Sequence, residues 1–197
     1  MKKRNLIFLI GFKNTGKDTV AKILNDFSYG KYHIVGFADA LKREYYLSAG
    51  INYQRDAEDR NVKEFHRDGI IAYGEKAKQD YGKYHWIERA LDTHLFEKEE
   101  DFEGVIVPDC RRVEEVHWYQ DFFENKLPKY QMIRDDWNPH FLAVHREDAE
   151  IEDNDYLTHN AIRVATDNYV INRLVKNYKS VDSLKKQLEE IYAIRFK

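Results

Sequence analysis

The sequence has a single cysteine, no long hydrophobic run and no large excess of charge of either sign, and each shortage excludes a class of protein. Because Cys110 is the only thiol among 197 residues, no disulfide can form within the chain, and a reducing compartment is expected. The apolar run near the start, Asn5 to Ile10, is too short for a signal-peptide core or a membrane span. We therefore predict a cytoplasmic protein without a membrane partner.

Charge and histidine spacing exclude two further classes. The chain carries 32 Lys and Arg against 35 Asp and Glu, a formal net charge of -3. This balance argues against a polybasic membrane or nucleic-acid binder, and we expect no stable nucleic-acid partner. The eight histidines show no zinc-binding spacing. The sequence leaves the formation of a homodimer open.

Short apolar segments alternate with amphipathic ones along the chain. Strands are predicted at 5–10, 32–37, 104–109, 130–133, 141–145 and 169–172, the fourth as an edge strand. Helices are predicted at 18–27, 38–49, 70–81, 86–97, 113–125 and 181–196. Strands that alternate with helices predict an α/β fold with a parallel sheet covered on both faces. The acidic run 147–155 is expected to be a solvated, mobile segment.

The strongest chemical signal is the segment Gly11 to Thr19. An apolar strand, the spacing Gly-x-x-x-x-Gly-Lys and a helix-like segment follow one another there, which is the layout of a phosphate-binding P-loop, or Walker A motif. Glycines let the loop wrap a phosphate chain, and the helix N-terminus directs free N–H groups at the anion. The predicted nucleotide-binding residues are Gly11, Lys13, Asn14, Thr15, Gly16, Lys17, Asp18 and Thr19. The alternative is an ordinary glycine-rich turn.

The loop predicts a three-layer P-loop NTPase fold. We expect one domain over residues 1–197. Within the loop, Lys17 would place its ammonium on the β- and γ-phosphates of the nucleotide. Asp18 stands where the motif usually has Ser or Thr, and the hydroxyl residue, Thr19, comes one place later.

A second chemical signal lies at the end of the strand predicted at 104–109. Asp109 ends this strand, where a Walker-B-type acid would hold Mg²⁺ directly or through water; the alternative is a cap for the next helix. Arg111 follows at the edge of the sheet where α/β proteins bind ligands, and its guanidinium matches phosphate oxygens two at a time. Cys110 is expected to be a small buried residue rather than a nucleophile.

Asp39 and Lys42 follow the second predicted strand. In an α/β sheet this connection also opens toward the ligand crevice, so both residues are candidates for substrate binding. Asp39 could equally be the N-cap of the following helix.

These motifs resemble, in order, those of the phage deoxynucleoside monophosphate kinases. The more specific matches are Lys13-x-x-Gly16-Lys17-Asp18-Thr19 and Val105-Ile106-Val107-Pro108-Asp109-Cys110-Arg111. Weaker matches are Gly36 to Lys42, Tyr81-Gly82 before Trp86, Val144-His145-Arg146, and a short strand, an Asn and a Ser-Leu-x-x-Leu helix within 168–188. The acidic Ser/Thr-Glu signature of the family reads Thr158-His159-Asn160 here, and the chain is shorter between Asn52 and Ile70. The base preference of the family therefore cannot be carried over.

The resemblance implies a nucleoside monophosphate kinase of deoxynucleotide metabolism, which acts in the host cytoplasm if a phage encodes it. It also implies a single kinase domain over residues 1–197, with substrate-binding and lid segments inserted at about 38–100 and 126–165. Such a transferase moves the γ-phosphoryl group of ATP to a deoxynucleoside 5′-monophosphate and uses Mg²⁺. The implied catalytic residues are Lys17, Asp109, Arg111 and Arg146. The implied substrate-binding residues are Asp39, Lys42, Trp86 and Arg111, and the metal-binding residues are Asp18, Thr19 and Asp109. The alternatives are another P-loop kinase, for a different phosphorylated metabolite or a modified base in DNA, and a nucleotide-binding switch without catalysis.

Overall fold

A computed structural model describes residues 3–53, 60–96, 101–147, 155–177 and 180–195. Most of the predicted acidic run, 148–154, lies outside these described residues. None of the described helices combines the length and the apolar character that a membrane span requires.

The described strands form one parallel sheet in the order β2-β3-β1-β4-β5. Their bounds are β1 Arg4–Ile10, β2 Tyr32–Ile34, β3 Gly104–Cys110, β4 Trp137–His145 and β5 Arg173–Lys176. The central strand β1 is almost entirely buried, which explains why its sequence is a continuous apolar run. Because all the strands are parallel, their carboxyl ends share one edge of the sheet, and the Gly11 loop begins at this edge.

Seven α-helices lie between or after these strands along the chain within the described ranges. They are α1 Lys17–Phe27, α2 Phe37–Ser48, α3 Arg60–Tyr81, α4 His85–Leu95, α5 Val113–Phe123, α6 Tyr156–Asp167 and α7 Val181–Arg195. The helices α2 and α3 begin earlier than predicted; α3 begins ten residues earlier, in a charged stretch without clear apolar periodicity.

Side chains that alternate along β1 pack against helices on both faces of the sheet. Ile7 and Leu9 belong to a buried cluster with residues of α1 and α7, such as Leu24 and Leu188. Phe8 points to the other face, where its ring stacks on Trp118 of α5 at 6.1 Å between centroids. Helices therefore flank the sheet on both faces, and the predicted α/β P-loop NTPase fold is confirmed.

The edge strand predicted at 130–133 is wrong. Residues 130–133 form no edge strand, because 3₁₀ turns occupy Pro128–Tyr130 and Arg134–Asp136. Instead β4 already begins at Trp137 and includes Pro139, which is tolerated because β5 pairs with β4 only from Leu142 onward.

The last strand lies four residues later than predicted. Residues 169–172 end helix α6: Tyr169 adopts a φ of 55°, and the N–H of Val170 donates to the carbonyl of Ala165. The apolar side chain of Val170 is thus buried at a helix end rather than in a strand. The strand itself is β5, Arg173–Lys176.

The chain divides into two compact units. The sheet unit comprises Met1–Val35 and His94–Lys197 and contains all five strands; the helical unit comprises Gly36–Thr93. Within the helical unit, α2 packs on α3, and the Tyr45 hydroxyl lies 3.1 Å from Nδ1 of His66. The boundaries of the inserted segments, about 38–100 and 126–165, stay predictions.

Candidate active site

Two glycines of the P-loop lie where a side chain is disfavoured. A Cβ on Gly11 would lie 2.3 Å from the carbonyl oxygen of Val144, because the loop passes directly against the end of β4. Gly16 adopts a φ of 95°, and a Cβ there would lie 2.5 Å from Nδ2 of Asn177. Glycine is therefore favoured at position 16 by its positive φ, and at both positions because neighbouring atoms lie too close for a Cβ.

Lys17 is the first residue of α1, and its ammonium points back at the loop. Only 5% of the residue is exposed, and Nζ donates hydrogen bonds of 2.7 Å to the carbonyls of Gly11 and Phe12. Burial, followed by the neighbouring Arg111 guanidinium, lowers the pKa of Lys17 to about 8. Burial removes the water that would otherwise solvate this positive charge, and a polyphosphate bound in the loop would neutralise the charge instead. This ammonium is therefore suited to an anionic ligand.

Charged groups from α1 itself, from the end of β3 and from the start of α6 act electrostatically on Lys17. The carboxylates of Asp18, Asp155 and Asp109 oppose the effect of burial on its pKa, whereas Arg111 adds to it. Among the predicted site residues, the structure therefore brings Asp18, Asp109 and Arg111 into electrostatic reach of Lys17. Asp155 was missed by the sequence analysis, although its place before Thr158 is a helix-capping signal: its carboxylate accepts the Thr158 N–H at 3.4 Å.

Two further residues that the sequence analysis did not select contact the loop. Asn177, directly after β5, donates from Nδ2 to the carbonyl of Thr15 at 3.0 Å. The ring of His159 on α6 packs edge-on against Phe12, with 4.6 Å between centroids. Asn177 follows a strand at the same edge of the sheet as Asp109, so the strand-end rule that selected Asp109 could have selected it as well.

The turn after β3 is held by a buried carboxylate. Oε2 of Glu115 accepts the backbone N–H of Arg111 at 2.6 Å and that of Arg112 at 2.9 Å. Burial raises the pKa of Glu115 to about 8. Cys110 is fully buried, as predicted, and burial raises the pKa of its thiol well above the usual value, so a thiolate nucleophile is disfavoured.

Four of the other predicted residues of the sheet unit, Lys13, Asn14, Thr19 and Arg146, are exposed. Lys13 and Asn14 lie on the outside of the loop, and Thr19 lies on the first turn of α1. Arg146 directly follows β4 and so lies at the carboxyl edge of the sheet. Their contacts with a ligand stay predictions.

The other predicted substrate-binding residues belong to the helical unit. Asp39 and Lys42 lie on α2 and form an ion pair of 3.8 Å. The N-cap of α2 is Gly36, so the alternative reading of Asp39 as an N-cap is wrong. Trp86 is 6% exposed, and its indole N–H donates to the Gly74 carbonyl at 3.0 Å. A role of these three residues toward a substrate stays a prediction.

The carboxylates near Lys17 suit a magnesium ion that comes with a nucleotide. Among the described residues, no group of three or more Asp, Glu, His or Cys side chains could hold a metal ion by itself. Mg²⁺ in nucleotide enzymes is commonly held by one or two carboxylates together with phosphate oxygens and water. Asp109 and Asp18 can supply such oxygen ligands, and the chemistry of the donor set therefore fits Mg²⁺.

Comparison with known proteins gives one family. The family model described as phosphomevalonate kinase matches residues 9–125, which include the P-loop, β3 and α5. No curated protein sequence matches the chain.

Solved structures resemble the chain only distantly. A shikimate kinase from Acinetobacter baumannii, in complex with shikimate, superposes with a TM-score of 0.47 and 12% identity over 99% of this chain and 96% of that one. TT1252 from Thermus thermophilus superposes with a TM-score of 0.45 and 14% identity over 98% of each chain. At such low scores and identities, we draw no conclusion from either structure.

Proposed function

The chain belongs to the phosphomevalonate kinase family, and from this premise we propose that it is an ATP-dependent kinase. From the motifs that resemble the phage deoxynucleoside monophosphate kinases, we further propose that its acceptor is a deoxynucleoside 5′-monophosphate. The observation that carries the kinase chemistry is the buried ammonium of Lys17, which lies at the P-loop with Arg111 and Asp109 in electrostatic reach. A loop, a cation and a strand-end acid in this arrangement are the parts that phosphoryl transfer requires.

Transfer would proceed by direct in-line displacement. An oxygen of the acceptor phosphate attacks the γ-phosphorus of ATP, a new P–O bond forms, and the bond from the γ-phosphorus to the bridging oxygen breaks, so that ADP leaves. Loop amides and Lys17 hold the β- and γ-phosphates, while Arg111 and Arg146 neutralise charge on the transferred group or the acceptor. Asp109, with Asp18 or Thr19, would hold Mg²⁺, which offsets the negative charge of the phosphates when bound.

Aromatic side chains in the helical unit support a nucleotide as the acceptor. The rings of Tyr45 and Tyr73 are 5.9 Å apart between centroids, and that of Tyr73 is 6.0 Å from Trp86. Tyr45 and Tyr73 are half-buried, so part of each ring is accessible. A nucleobase can stack on such rings, whereas an aliphatic acceptor gains less from them. We assign Asp39 and Lys42, from the same unit, to the acceptor as well.

A second candidate acceptor is phosphomevalonate, which the name of the matching family model favours. Both candidates are phosphomonoesters, so the same donor site and the same arginines would serve either one. They differ in the group attached to the phosphate, and only a direct comparison separates them.

The test is ADP formation by the purified protein with Mg²⁺-ATP and a panel of acceptors. The panel contains the deoxynucleoside monophosphates, phosphomevalonate, and shikimate as an acceptor without a phosphate. We expect strong ADP release with at least one deoxynucleoside monophosphate and none with shikimate. Release with phosphomevalonate alone would establish the second candidate. ATP binding without release for any acceptor would contradict the kinase and favour a nucleotide-binding switch.

A further inference from the structure

Asn177 connects the last strand of the sheet to the P-loop, across 162 positions of sequence. Its side-chain Nδ2 donates to the carbonyl of Thr15 at 3.0 Å. Its backbone N–H donates to the carbonyl of His145 at 2.8 Å, which fixes Asn177 to the end of β4 as well as to β5. Asn177 is therefore held on the rigid sheet while its amide reaches the loop.

The contact lies at the turn of the loop that precedes α1. Thr15 is 1% exposed, and its hydroxyl donates to the Phe12 carbonyl at 2.9 Å. Next to it, Gly16 is the N-cap of α1 with a φ of 95°, and Nδ2 of Asn177 lies 2.5 Å from the position that a Cβ on Gly16 would take. Because a peptide unit is planar, holding the Thr15 carbonyl also sets the direction of the Gly16 N–H.

We propose that Asn177 is a positioning residue of the nucleotide site, whose amide holds the Thr15–Gly16 turn in the conformation that binds the ATP phosphates. Backbone N–H groups of such a loop are the ligands of the phosphates, so their orientation determines affinity. Asn177 acts through the loop and needs no contact with the nucleotide. This inference rests on the proposed function in one respect, which is that ATP is the ligand of the loop.

The chain offers a matched control at the other end of the same strand. Asn172 precedes β5 as Asn177 follows it, and its backbone N–H donates to the Phe141 carbonyl at 2.8 Å. Its Oδ1 accepts the Phe141 N–H at 2.7 Å. Like Asn177, Asn172 thus makes one side-chain and one backbone hydrogen bond, and their lengths are similar to those of Asn177. Asn172, however, lies before β5, at the end of this strand that is away from the P-loop.

The experiment compares Asn177→Ala with Asn172→Ala in the full chain. The dissociation constant of ATP is measured by calorimetry, and thermal midpoints report stability. Where turnover is found, KM for ATP, KM for the acceptor and kcat are measured too. We expect Asn177→Ala to weaken ATP binding about five- to tenfold and to leave the acceptor KM unchanged, since one hydrogen bond that orients the loop is lost. Asn172→Ala should lower the thermal midpoint comparably and leave ATP affinity unchanged.

Two outcomes would overturn the inference while ATP binding stands: an ATP affinity of Asn177→Ala within twofold of wild type, or an equal loss of affinity in Asn172→Ala. If Asn177→Ala does not fold, Asn177→Leu, which keeps the branched shape and lacks the donor, takes its place with the same expected result. Wild-type protein that bound no ATP would overturn both the proposed function and this inference. Wild-type protein that bound ATP but phosphorylated no monophosphate would contradict the acceptor alone, and the binding comparison would still decide the role of Asn177.

Discussion

At the scale of single residues, Lys17 combines burial, hydrogen bonds and charge in a way that no other described lysine does. Its ammonium donates to two loop carbonyls, and only 5% of the residue is exposed. The burial of a cation is costly unless an anion offsets it, and the carboxylates nearby do so only in part. A nucleotide triphosphate would complete this compensation.

Lys17→Ala should therefore lower phosphoryl transfer about a hundredfold or more while the fold stays intact, because a preorganised cation at the transferred group is lost. The measurement is kcat/KM with Mg²⁺-ATP, alongside circular dichroism. Lys22→Ala, which removes an exposed ammonium from the same helix, is the control and should retain full activity. Near-normal turnover in Lys17→Ala would contradict the P-loop assignment.

Replacing Gly16 by alanine, which adds one methyl group, tests how closely the loop is packed against Asn177. Gly16→Ala should destabilise the protein by about 2–4 kcal/mol, because a side chain is strained at a φ of 95° and its Cβ would also meet Nδ2 of Asn177. Gly30 has a φ of 81°, but a Cβ added there would meet no atom within 4 Å, so Gly30→Ala should cost only about 1–2 kcal/mol. Urea unfolding of both variants gives the difference.

The difference between these two variants isolates the steric contact. Combining Gly16→Ala with Asn177→Ala should recover part of the lost stability, because the clash partner is removed. Equal losses in Gly16→Ala and Gly30→Ala would show that Asn177 does not press on the loop.

At the scale of elements, the junction of β3 and α5 carries a pH dependence. The folded-state pKa of Glu115 is raised to about 8 from an ordinary value of 4.5, so between these values the folded protein binds the proton more strongly than the unfolded chain. The contribution of Glu115 to stability is therefore complete below about pH 4.5 and is lost as the pH rises through 8.

Glu115→Gln should remove this dependence, because an amide does not ionise and its oxygen can still accept the N–H groups of Arg111 and Arg112. The free energy of unfolding, measured in urea from pH 5 to pH 9, should fall more steeply for wild type than for the variant. Parallel curves for the two proteins would show that Glu115 titrates normally.

A comparison of β1 and β4 shows where the local sequence pattern does not suffice to predict a strand. The prediction of β1 was close to its observed bounds because a strand buried on both faces is apolar throughout. The first half of β4 contains Asn138, Pro139 and His140, and its strand conformation depends on pairing with β1. Such pairing is invisible in the local sequence, which is why the strand was predicted to begin only at residue 141.

At the scale of the whole molecule, the residues assigned to ATP and those assigned to the acceptor belong to different units. The P-loop, Asp109 and Arg111 belong to the sheet unit, whereas Tyr45, Tyr73 and Trp86 belong to the helical unit. Under the proposed function, substitutions in the first unit should act mainly on ATP, and those in the second should act on the acceptor.

Tyr73→Ala should accordingly raise the KM of the acceptor by about fivefold or more and leave the dissociation constant of ATP unchanged, because a ring available for base stacking is lost. Steady-state kinetics and calorimetry measure the two constants. Tyr169→Ala, at a tyrosine that is 93% exposed in the sheet unit, should change neither. A weaker ATP affinity in Tyr73→Ala would contradict the assignment of this unit to the acceptor.

The sequence by itself determined the P-loop, the strand before it, the helix after it and the acid–arginine pair at the end of β3. These features are local, because glycine spacing, apolar runs and strand ends follow one another along the chain. Only the tertiary structure decided which distant groups complete the site. Asp155, His159 and Asn177 come to the loop because the sheet places β1 beside β4, and β4 beside β5. The order of strands brings their carboxyl ends into one row, and that order depends on packing between segments far apart in sequence, which no local pattern records.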